Sequence, residues 1–140
     1  MRAYTRAAQS YGSVQLVTGV ATADNVQLIQ MLFDGLAESL ATARGHIEND
    51  NIQEKSNALS RASRILVGLQ GALDFERGGE LATNLNELYA YMTRRILHVN
   101  ATNDLEVLSE VVSLVRDISE AWQALPSLLS GTSQQSQYIS

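Results

Sequence analysis

From Leu28 onward apolar residues return every third or fourth position, the period of one face of an α-helix. Leu28, Leu32, Leu36, Leu40, Ala43 and Ile47 make a first stripe, widened by Ile29 and Phe33, and the polar run Glu48-Asn49-Asp50-Asn51 ends it. Asp24 is placed to cap the start of this helix, with Gln27 three residues on as in a capping box. Ile52, Leu59, Ala62, Leu66, Leu69 and Leu73 give a second, heptad-like seam. Its predicted end is Gly78-Gly79, because two glycines can take the backbone angles that reverse a chain, and Glu80 then places negative charge at the start of the next helix. The third stripe runs Leu81, Leu85, Leu88, Met92, Ile96 and Val99 and stops between Asn100 and Asn103. Asn103 or Asp104 can cap a fourth helix with the seam Leu108, Val111, Val115, Ile118, Trp122 and Leu125, which Pro126 closes.

Four amphipathic helices of similar length, joined by a few residues each, favour antiparallel neighbours. The expected fold is therefore all-α, an antiparallel up-down-up-down four-helix bundle over residues 24–126, about 30 Å long. Residues 1–23 carry Tyr4, Tyr11, Val14, Leu16, Val17 and Val20, too many apolar side chains for an idle tail and too few for a further full helix, so an N-terminal arm packed on the bundle surface is expected. Residues 127–140, rich in serine and glutamine, are expected to form a disordered tail.

Length and composition narrow the class. A chain of 140 residues fits one domain that can bury about two-thirds of its unfolded surface. The absence of cysteine excludes a disulfide framework and thiolate metal sites, which fits a reducing cytoplasm. The N-terminus lacks the apolar run of a signal peptide, and no stretch approaches the roughly 20 apolar residues of a membrane span, so a soluble, uncleaved cytosolic protein without membrane insertion is expected. Ten basic residues against fifteen acidic ones leave a net charge of −5, the wrong sign for a phosphate-binding surface unless the cations cluster. Arg61 and Arg64, and Arg94 and Arg95, sit among acidic and apolar neighbours, so nucleic acid is not an expected partner.

Candidate chemistry is sparse. His46 and His98 each fall near a predicted helix end, where the helix dipole favours a cation, and the sequence offers neither an orienting partner of the kind a general base needs. A di-iron site needs glutamate three residues before each histidine, whereas Ala43 and Arg95 stand there. Gly78-Gly79 lacks the preceding strand and third glycine of a dinucleotide loop and the Gly-Lys-Ser/Thr of a phosphate loop. The acidic residues near the junctions lack calcium-loop spacing. No cofactor and no enzymatic activity are expected. A histidine phosphotransfer module is the alternative kept in view, although no lysine follows either histidine closely. Tyr89, Tyr91 and Trp122 are expected in the core or half-buried, but Tyr89 and Tyr91 cannot both face inward.

Residues 73–92, LDFERGGELATNLNELYAYM, combine Leu73-Asp74, Gly78-Gly79, Asn84-Leu85, Leu88-Tyr89 and Tyr91-Met92 at fixed spacing, and this string closely resembles the signature of the FliS family of flagellin-export chaperones. Gln30-Met31-Leu32-Phe33-Asp34-Gly35 resembles that family's first-helix motif, and Glu120-Ala121-Trp122 its last-helix ending. The resemblance spans roughly residues 11 to 123. Two departures stand out: Thr22-Ala23-Asp24-Asn25 replaces the usual Thr-Ala-Ser-Pro, and the segment between Tyr11 and Asp24 is a few residues longer than is common. The resemblance implies a chaperone that binds the disordered C-terminal segment of flagellin 1:1 as a monomer, prevents premature polymerisation and delivers its cargo to the flagellar type III export gate. It also implies that Tyr11 caps or recognises the cargo groove, and it points to Tyr11, Val14, Leu88, Tyr91 and Met92 as candidate flagellin-binding residues.

Overall fold

The computed structural model describes residues 23–124, and among them there are four helices and no strand: α1 (Ala23–Glu48), α2 (Ile52–Gly71), α3 (Phe75–Thr102) and α4 (Leu105–Gln123). The arm and tail inferred from the sequence, with Leu125 and Pro126, lie outside the described residues. Helix α1 is described from Ala23 onward, and the side chain of Asp24, the cap expected from the sequence, lies outside what is described.

Each helix packs on its neighbours in sequence, and α1 also packs on α4, while the diagonal pairs do not meet. Cross-links between side chains give the directions. Gln30 near the start of α1 donates to Ser119 near the end of α4 at 3.2 Å, and Arg44 near the end of α1 donates to Ser109 near the start of α4. Lys55, in the first turn of α2, reaches Asn100 and Asn103 at the far end of α3. All neighbours are thus antiparallel, as the short connections require.

The core follows the predicted stripes with local rotations. Ile29, Phe33, Leu36, Leu40, Ala43 and Ile47 are buried on α1, whereas Leu28 is only half-buried, so the inward face is centred one residue later than the first stripe begins. Leu59, Ala62, Leu66 and Leu69 from α2, and Leu108, Val111, Val115 and Trp122 from α4, close the interior. The Trp122 ring packs 6.4 Å from Phe33 at a tilt of 54°, the kind of offset aromatic pair that the ring quadrupoles favour.

Two junctions differ in how they match the sequence. At the α3–α4 turn Asn103 takes a left-handed backbone, φ 57°, and its amide bonds to Val99, while the Asp104 carboxylate accepts from the amides of Glu106 and Val107. Helix stop and helix cap therefore sit where the sequence places them. The α2–α3 reversal does not fall at Gly78-Gly79. It is made by Ala72, Leu73 and Asp74, with Asp74 capping α3 through the amides of Glu76 and Arg77. Both glycines lie inside α3, where Gly79 has φ 50° and ψ −124°, angles that break the helix and that a side chain would resist. An aspartate four residues earlier starts the helix before the glycines are reached. Two seam residues miss the core: Ile52 opens α2 at the bundle end, and Leu81, just past the Gly79 break, points outward while Ala82 is buried.

Candidate partner-binding surface

The string at residues 73–92 spans the α2–α3 turn and the first turns of α3. Its helical phase divides it. Tyr89 and Met92 turn inward and have 1% and 0% of their surface exposed. Leu88 is half-buried against the core, and Tyr91 lies at the surface on the side facing α4. Burial raises the Tyr89 phenol well above its ordinary value, consistent with a neutral core side chain.

Tyr91 is the centre of a polar cluster that bridges α3 and α4. Its hydroxyl donates to the Glu110 carboxylate, 3.0 Å from each oxygen, and Arg95 Nε donates to Oε1 of the same carboxylate at 3.1 Å. The guanidinium carbons of Arg94 and Arg95 stand 5.9 and 5.8 Å from the Tyr91 ring centre, within cation–π range. Donation to Glu110 raises the Tyr91 phenol above its ordinary value, helped by partial desolvation and the Glu110 charge and opposed by Arg95 and Arg94. The ring face and the neighbouring Leu88 form a small apolar and aromatic step beside this charged pair.

Of the residues inferred to bind flagellin, Leu88 and Tyr91 are thus neighbours on one face. Met92 is one position further round the helix and wholly interior, so in this conformation its side chain is core and offers no contact surface. Tyr11 and Val14 lie outside the described residues. Outside the predicted stripes, Met31, Val67, Phe75 and Leu97 are large apolar side chains that stand about half exposed or more. The signal for Val67 and Leu97 was present as a phase error, since each is an apolar residue displaced from the seam of its own helix.

Among the described residues the titratable groups stand in separate places. His46 lies in the last turn of α1 with Asn51 Nδ2 3.2 Å from its Nδ1. His98 has a carboxylate partner that the sequence did not reveal: Asp104 Oδ2 is 3.6 Å from Nε2. That carboxylate is already the cap of α4, and its pKa is lowered first by the Val107 amide, then by the Glu106 amide and His98, against partial desolvation. Lys55, the single lysine of the sequence, is buried with Nζ 2.9 Å from the Asn100 carbonyl and 2.8 Å from Asn103 Oδ1, so it is engaged in tying the α2 start to the α3 end. Among the described residues no group of three or more histidine, cysteine or acidic side chains could hold a metal ion, and no helix is long and apolar enough to cross a membrane.

Comparison with known proteins gives a consistent result. The family described as flagellar protein FliS matches residues 7–128. The flagellar secretion chaperone FliS of Salmonella typhimurium is 44% identical over 118 residues, covering 84% of this chain and 87% of the relative. Flagellar secretion chaperone FliSB of Pseudomonas aeruginosa is 41% identical over 120 residues, covering 86% and 95%. FliS of Bacillus subtilis is 36% identical over 104 residues, covering 74% and 77%.

Proposed function

Because this chain belongs to the FliS family of flagellar secretion chaperones, we propose that it binds the disordered C-terminal segment of flagellin in the cytoplasm, blocks its premature polymerisation and delivers it to the flagellar type III export gate. The observation that carries this reading is the extent of the family match, which runs through all four helices and includes the 73–92 string on α3. The chain acts by stoichiometric capture as a monomer holding one cargo, without catalysis or cofactor.

The physical requirements are those of coupled folding and binding. A disordered segment must bury enough apolar area to offset the entropy lost on ordering, and it does so by laying amphipathic helices into apolar grooves. An antiparallel bundle offers such grooves along its outside, between neighbouring helices. Leu88 and Tyr91 supply apolar and aromatic surface on the α3–α4 side, with Tyr11 and Val14 of the N-terminal segment as further contacts. Aromatic anchors of this kind carry a disproportionate share of binding energy. Helix gain in the cargo then sequesters the residues that would otherwise assemble.

Seeded filament growth tests the proposal. Flagellin elongation should stop at equimolar protein and continue at half the rate or more when the protein is strongly substoichiometric. Undiminished elongation at a several-fold excess of this chain would refute it.

A further inference from the structure

At one end of the bundle the α1–α2 turn and the α3–α4 turn are joined through Lys55. This side chain is 6% exposed. Its ammonium carries three N–H donors, and two of them go to neutral oxygens, the Asn100 carbonyl at 2.9 Å and Asn103 Oδ1 at 2.8 Å. Among the described residues no carboxylate forms an ion pair with it. Taking a cation out of water without an opposite charge is costly, and two amide oxygens replace only part of the lost hydration. The remaining donor and the uncompensated charge both call for an anion.

Lys55 forms part of the wall of a cavity of about 80 Å³ at this end. One water takes up about 30 Å³ of the liquid, so the space suits a group of a few heavy atoms. His46, Asn51 and Asn103 add polar groups to the wall, and Asn51 provides no side-chain cap, so the positive end of the α2 dipole borders the space. Ile47, buried, and Ile52, 70% exposed, give it an apolar side. Ile52 is the seam residue that misses the core, and here it stands beside the only buried cation. The acidic residue among those lining the cavity is Asp50, which is exposed.

We propose that this cavity binds a carboxylate carried on a small apolar body: a carboxylate oxygen accepts the third N–H of Lys55, and the apolar part lies against Ile47 and Ile52. A lysine is a point charge without the fork that grips phosphate in two places, and the Asp50 charge repels a dianion more than a monoanion, so a carboxylate is favoured over a phosphate. The same chemistry comes from two sources, a short aliphatic acid or the terminal carboxylate of a peptide whose last residue is apolar. In either case the ligand compensates the charge at the contact that joins α2 to α3.

Because Lys55 is the only lysine, isotopically labelled lysine gives one side-chain NMR signal from the full chain. At constant ionic strength, butyrate and N-acetyl-leucine are titrated against their uncharged counterparts, butyramide and N-acetyl-leucinamide. The expected result is a saturable shift of the Lys55 signal with a carboxylate, at a Kd on the order of 1 mM for a contact of so few atoms, and none with either amide. A response to both acids supports the site as one for a small aliphatic acid, and a response to N-acetyl-leucine alone supports it as one for a peptide terminus. Asp50→Asn should tighten binding several-fold, by a factor that shrinks as salt is raised. Asn103→Asp should abolish it, because it sets a carboxylate of the chain itself against Lys55 Nζ, and an undiminished melting temperature shows that the loss is not unfolding. Equal shifts with acids and amides, or the same shift with added chloride, would show an adventitious ion only and overturn the site. No saturable shift with either acid, or full affinity in Asn103→Asp, would also overturn it.

Discussion

On the side of α3 that meets α4, Tyr91 and Arg95 converge on the Glu110 carboxylate; on the side that meets α2, no polar link among the described residues crosses the groove between the Ser56–Asn100 and Gln70–Asn86 contacts. The helices on both sides are held by the same buried apolar seams, so the difference lies in the outer layer and not in the core. A polar link across a groove satisfies its own groups and ties the two helices to each other. An unlinked groove lined by serine, leucine and isoleucine leaves part of its apolar surface open. One helix therefore presents two different surfaces, an aromatic step held by polar links and an unlinked groove, without any change in how it is anchored.

Core and surface positions on α3 should separate first by energy. Met92→Ala should lower stability by about 2–5 kcal/mol, because it removes a wholly buried side chain and leaves a cavity, whereas Leu97→Ala should stay within about 0.5 kcal/mol. Urea denaturation of both variants checks the contrast, and equal losses would erase the distinction between inward and outward faces. Trp122→Ala belongs with Met92, at about 3–5 kcal/mol, since it also loses its contact with Phe33.

Gly79 breaks α3 shortly after its start. Its Cβ position would be sterically free, so the cost of Gly79→Ala comes from the backbone angles alone, about 1–3 kcal/mol. An unchanged or raised melting temperature would mean that the helix runs straight through this point. Asp74→Ala should cost less, about 1 kcal/mol, by exposing the amides of Glu76 and Arg77.

The smallest effect concerns the α4 side. Because the Tyr91 phenol is raised above 10 in the folded chain, its contribution to stability is complete below the unfolded value and is lost as pH rises through the folded one. Alkaline titration of phenolate absorbance should show Tyr91 ionising late, and Glu110→Gln should bring it back toward 10. Identical titrations would show that the Tyr91–Glu110 link does not form in solution.

Most of the bundle was legible because helical period is written directly in the positions of leucine, isoleucine and valine. The α3–α4 turn was equally readable, as Asn103 and Asp104 do locally what their side chains favour. The α2–α3 turn was not, because two signals competed: the glycine pair is the stronger punctuation by residue type, but Asp74 comes first along the chain and its cap starts the helix. At the surface, helical phase required Tyr89 and Tyr91 to part, and Tyr89 took the core. Met92 was placed among contact residues because the 73–92 string implies a region and not a face; the rotation of 100° per residue carries Met92 inside. The open groove was harder to foresee, because it depends on which polar side chains happen to reach across, a property of two helices together.

The central claim is capture of flagellin's C-terminal segment by this bundle. Calorimetric titration of this chain against full-length flagellin and against flagellin lacking its disordered C-terminal segment tests it most directly. The account predicts a 1:1 complex with a negative heat-capacity change for the full-length protein and no measurable heat of binding for the truncated one. Equal affinity for both would contradict it.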